Sequence, residues 1–166
     1  MHHPRPHELQ QLLVEARRLE LGSPQQVKVL GELRKHCPTF VPALLLASRA
    51  ELWSPDDTIS AQAAFDEVER MLQVAVDVSE RTPGALNEQA RFYSVVRDSS
   101  AAAEALYREA SERALQSLEE SWAGLLEALG EQNKTEEAAR LAERARQLFP
   151  HSPLLAEARR FSGLGE

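Results

Sequence analysis

Apolar residues recur at helical spacing along almost the whole chain. Leu9, Leu12, Leu13, Ala16 and Leu19 line one face at i, i+3, i+4 intervals. Gly22-Ser23-Pro24 stops that helix and starts the next, with Ser23 as cap and Pro24 in the first turn, where a missing N–H costs nothing. Val27, Leu30 and Leu33 form the second apolar face, which ends before Cys37-Pro38. A third helix over 41–53 is apolar around much of its circumference, which predicts the most buried position. Ser60 caps a long fourth helix reaching about residue 80, with Phe65, Val68, Met71, Leu72, Ala75 and Val76 among its apolar residues. A fifth covers about 85–96 and a sixth starts near Ala101. The sixth has no breaker before Trp122, so the pattern leaves its end open. A seventh helix around Trp122 turns at 130–134. An eighth follows with Thr135 as cap, and a ninth runs over 152–161. The expectation is nine helices joined by short loops.

Strand has little support. Isoleucine appears once, at Ile59, and no segment alternates at period two. The spacing predicts a tail at 1–6, one helical domain over 7–162 and a tail at 163–166. Within the domain it predicts hairpins over about 7–37, 41–82, 85–117 and 119–149, and a capping helix over 152–161.

The last hairpin carries a recognisable signature. It reads Trp122-x-x-Leu125-Leu126-x-x-Leu129, then Ala138, Ala142, Ala145 and Pro150. This pattern resembles the tetratricopeptide repeat, a two-helix unit of about 34 residues. The interval from Pro83 to Pro150 is 67, close to two such units, and that from Pro38 to Pro83 is 45. Phe92-Tyr93-x-x-Val96 with Ala103, Tyr107 and Ala110 continues the resemblance more faintly, and the first two hairpins keep the pairing with little of the signature. Leu126 departs from the family's usual glycine, and Leu129 from its aromatic.

The resemblance implies an all-α, right-handed superhelix of stacked antiparallel hairpins that binds other proteins and catalyses nothing. It also implies that the first helix of each hairpin lines a groove for a partner peptide or helix. Carried over by position, that groove takes Gln11, Glu15 and Arg18 from the first hairpin and Leu45, Arg49 and Leu52 from the second. It takes Ala90, Ser94 and Arg97 from the third, and Glu120, Ala123, Glu127 and Glu131 from the fourth. The family's carboxylate clamp needs Lys and Asn at such positions. Ala123 and Glu127 depart from that, so a basic or amphipathic segment suits the acidic end better.

Charge and chemistry narrow the remaining classes. The formal net charge is −7, shared evenly between the two halves, which opposes nucleic-acid binding through Lys/Arg neutralisation of phosphates. The single Cys37 excludes an internal disulfide and a cysteine-based zinc site. The chain begins without the apolar core of a signal peptide, and the longest apolar run, about 40–47, is too short for a membrane. A cytoplasmic protein is therefore expected, with no cofactor and no metal. Of five histidines, His2, His3 and His7 sit in or beside the tail, and Glu32-x-x-x-His36 has the wrong spacing for a di-iron bundle. Asp56-Asp57 and Asp66-Glu67-Glu69 read as solvated charge rather than a divalent-cation site. Two narrower alternatives stand beside the scaffold reading: a secretion-type chaperone, and a helical enzyme or accessory domain with an unrecognised site. Self-association into a homodimer through the apolar second hairpin is a further expectation.

Overall fold

The computed structural model describes residues 4–54 and 60–164. The expectations for 1–3 and 165–166, and Asp56 and Asp57, lie outside the described residues. Among the described residues, eight α-helices follow in order: α1 Pro6–Arg18, α2 Pro24–His36, α3 Val41–Trp53, α4 Ala61–Val78, α5 Pro83–Val95, α6 Ser100–Glu131, α7 Thr135–Leu148 and α8 Pro153–Phe161. The fold is all-α, with no strand among the described residues.

The start signals act as read. Ser23 and Ser60 accept from the backbone N–H of Gln26 and Ala63, and Ser152, expected as the first residue of the last helix, instead caps it by accepting from the Leu155 N–H, satisfying one orphan donor at each helix start. Thr135 does not cap α7. It is the first helical residue, and Lys134 occupies the cap position without a side-chain bond. The ninth helix disappears because the sixth and seventh are one. Between Ser100 and Glu131 the sequence offers no proline, and Gly124 does not break an otherwise alanine-, leucine- and glutamate-rich stretch.

The chain divides into two compact units, residues 1–110 and 111–166. In the first, α1 packs on α2, α2 on α3, α3 on α4 and α4 on α5. The odd-numbered helices also meet one another, α1 with α3 and α3 with α5, so successive hairpins stack. Small residues allow these approaches: Ala16, Ala43, Ala47, Ala50 and Ala75 are buried beside Leu30, Leu33, Leu44, Val68 and Met71. A smaller cluster of Val76, Ala85, Leu86 and Ala110 joins α4 and α5 to the first part of α6.

Two features fix the α1–α2 corner. Gln26 is buried, donates from Nε2 to the Ala16 carbonyl at 2.9 Å and accepts from the Gly22 N–H at 2.9 Å. It thereby satisfies an orphan carbonyl in the last turn of α1 and a buried amide of the turn. Gly22 has φ +77°, and a Cβ there would lie 2.6 Å from the carbonyl carbon of Trp53. Only glycine supplies both the left-handed backbone and the room.

Ion pairs link neighbouring hairpins. Arg34 on α2 pairs with Glu67 on α4, Arg49 on α3 with Glu88 on α5, and Arg81 with Glu109 on α6. Glu109 therefore takes a partner beyond its own helix. Glu104 and Arg108 form an i, i+4 pair within α6 at 2.6 Å, as their spacing predicts.

In the second unit, Ala123, Leu126 and Leu129 of α6 pack with Ala138, Ala142 and Ala145 of α7 and with Leu155 and Ala158 of α8. Trp122 packs edge-on against Phe149, centroids 6.1 Å apart, with the Arg144 guanidinium over its ring at 5.5 Å. Gly130 brings α6 against Ser162, where a Cβ would come within 2.5 Å of the Ser162 Cα.

Candidate functional site: an apolar cleft between α3 and α5

A cleft of about 430 Å³ opens between α3 and α5, with α4 beneath it. Helical spacing builds each wall. Glu88, Arg91, Phe92, Val95 and Val96 fall at i, i+3, i+4, i+7, i+8 on α5 and its C-cap, one continuous stripe. Arg49, Leu52 and Trp53 come from the last turns of α3, and Val68 and Leu72 from α4 form the floor. The mouth carries large apolar side chains in water: Trp53 is 72% exposed, Val95 76% and Leu21 43%. Scattered exposed apolar residues are ordinary, whereas these three line one cleft.

The rim is ionic. Arg49 donates to both oxygens of Glu88, with Nε at 3.0 Å from Oε2, and Arg91 Nη2 lies 2.5 Å from Oε2. The Glu88 hydrogen bond, set against partial burial, raises the pKa of Arg49, a guanidinium that is charged at ordinary pH in any case.

The structure distributes the thirteen residues carried over by resemblance. Arg49 and Leu52 line the cleft. Gln11, Glu15 and Arg18 come together with His7 and Val14 along an open, shallow depression of about 690 Å³ on α1. Leu45 is half-buried against the core. Ala90 and Ala123 are corrections: at 0% and 3% exposure both belong to helix packing and present nothing to a ligand. Ser94 is exposed and outside the cleft lining. Arg97 is engaged with α4, pairing with Glu69 at 2.6 Å and Asp66 at 2.5 Å, while its guanidinium lies 5.6 Å from the Phe92 ring centroid. Glu120, Glu127 and Glu131 share one exposed face of α6 at i, i+7, i+11 spacing.

The α4 acids are surface charges that are paired with arginines, Asp66 staying largely exposed. Asp66 and Glu69 hold Arg97, and Glu67 holds Arg70 and Arg34. The Arg70 hydrogen bond, then that of Arg34, keeps the Glu67 carboxyl below the usual carboxylate range against some burial. Among the described residues, no group of three or more His, Cys, Asp or Glu side chains is placed to hold a metal ion, and no helix is long and apolar enough to cross a membrane.

Residue pattern alone missed Trp53, Val95, Leu21 and Arg91. Glu88 and Arg91 interrupt the apolar positions of α5, which hides this wall in the sequence.

Stacked helical hairpins with an apolar cleft between the first helices of two of them define an α-helical repeat protein. The Myxococcota tetratricopeptide repeat protein family matches residues 1–80. An uncharacterized 18.1 kDa protein in the carS 3′ region of Myxococcus xanthus is 37% identical over 162 residues, 96% of this chain and 94% of that protein. The chain belongs to this tetratricopeptide repeat family. Its matched segment contains the hairpins in which the general repeat signature is faintest. No solved structure matches the chain.

Proposed function

We propose that this chain is a non-enzymatic adaptor that holds a segment of another protein in the α3–α5 cleft. The observation that carries the reading is the grouping of exposed Trp53, Val95 and Leu21 at the mouth of an apolar cleft. Leaving these side chains in water is unfavourable, and covering Trp53 and Val95 contributes on the order of 3–5 kcal/mol to association. Tryptophan in such a setting is the residue type most often found to dominate an interface. The stacking of α1, α3 and α5 adds support, since it sets the first helices of consecutive hairpins side by side, where the resemblance to tetratricopeptide repeats places a groove.

The test is quantitative recovery of the partner from native cells, with Trp53→Ala and Val95→Ser as probes and Gly124→Ala as a control in open space. Both cleft variants should reduce recovery at least tenfold while the control retains it. Undiminished recovery by the cleft variants would remove the site assignment.

A further inference from the structure

We infer that the occupant of the cleft is a peptide segment presenting a bulky apolar side chain beside a carboxylate, an aspartate or glutamate that meets Arg91 and Arg49. This rests on the adaptor reading and specifies its ligand. Two guanidinium groups face one carboxylate on the rim, so the lining carries one formal positive charge. The remaining lining is apolar apart from Ser48, whose hydroxyl donates to the Leu45 carbonyl at 2.9 Å. This positive spot stands out on a chain whose net charge is −7.

Donor capacity agrees with charge. A guanidinium has five N–H groups. Among the described residues Arg91 bonds only to Glu88, through Nη2, and its side chain is 54% exposed. Arg49 uses Nε and Nη2 on the same carboxylate. Donors therefore remain for a second carboxylate, which would share the pair of arginines with Glu88 and neutralise the rim. A lysine or arginine of a ligand would instead meet both guanidinium groups. The apolar anchor contributes affinity at Trp53 and Val95, and the carboxylate fixes register.

The experiment uses the full chain carrying Trp122→Phe, so that Trp53 is its one tryptophan and reports the cleft. A random 12-residue peptide display library is panned on it, and the recovered sequences are synthesised. Peptides should concentrate Asp or Glu within four positions of Leu, Phe or Trp, and their binding should shift Trp53 emission. Arg91→Glu should weaken them at least tenfold, and a peptide with that acid changed to Lys should recover affinity for Arg91→Glu. Arg91→Gln serves as a milder second variant, with helicity checked by circular dichroism. Neutral or basic peptides that still require Trp53 would overturn the carboxylate and leave the cleft standing. Peptides bound equally by Trp53→Ala would overturn the cleft itself. Binding of decanoate with no peptide recovered would reassign the cleft to a small amphiphile and overturn the proposal, as would the absence of binding by either probe at 1 mM, roughly the weak end of specific recognition.

Discussion

Replacing Gly22 by alanine probes the corner that sets Leu21 and Trp53 at the mouth of the cleft. The perturbation has two parts. At φ +77° an alanine sits in the left-handed region, which costs about 1–2 kcal/mol. Its Cβ would also lie 2.6 Å from both the carbonyl carbon and oxygen of Trp53. Those atoms are backbone, so the turn or the end of α3 must shift, at about 1–3 kcal/mol for overpacking. Lost freedom of the unfolded chain returns about 0.4–1 kcal/mol. The net expectation is a destabilisation of about 1–4.5 kcal/mol. Gly31→Ala is the matched control in the same unit. Gly31 lies within α2 without a positive φ, and a Cβ there would meet nothing within 4 Å, so alanine should stabilise by about 0.5–1 kcal/mol. Urea denaturation followed by far-UV circular dichroism measures both. Variants of equal stability, or a Gly22→Ala loss below about 0.5 kcal/mol, would refute the steric reasoning.

Three further outcomes test the packing. Gln26→Leu should cost about 2–4 kcal/mol in the same assay, since it leaves the Ala16 carbonyl and the Gly22 amide unpaired in a buried corner. Gly130→Ala should loosen the end of α8, because a Cβ would strike the Ser162 backbone; hydrogen exchange over 153–164 should accelerate while that of α2 stays unchanged. Glu67→Gln should remove about 0.5–1 kcal/mol at pH 7. Because Arg70 and Arg34 lower the folded-state pKa of Glu67, its contribution is full above the ordinary carboxylate range and is lost as pH falls through that lowered value. The stability gap between the parent protein and the Glu67→Gln variant should therefore close on acidification, and a gap that widened would contradict the pairing.

Much of the architecture was legible because local rules act locally. Ser23 and Ser60 announce their helices, and the apolar stretch over 41–53 matches α3 at both ends. The joining of two expected helices into α6 was not legible. A hairpin repeat predicts a turn near residue 118, but no glycine or proline is there to enforce it, and helix propensity decides. Rotation about a helix axis was equally hard to read. Ala90 and Ala123 were assigned to an open face, yet both are buried in helix packing. The cleft escaped because its wall joins charged and apolar positions whose complementarity exists only across helices. Arg49 finds Glu88 at a separation of 39 residues, and Arg97 finds Glu69 at 28. Pairings so distant in sequence also give the surface acids of α4 their partners on α2 and beyond α5.

The central claim is that a partner segment lies in the α3–α5 cleft. Its most direct test is site-specific photo-crosslinking in native cells, with benzoylphenylalanine placed at Val95 in one strain and at exposed Lys28 on α2 in another. The account predicts one dominant adduct from position 95, lost when Trp53 is also changed to alanine, and none of that mass from position 28. Equal adducts from both positions, or an adduct at 95 indifferent to Trp53, would contradict it.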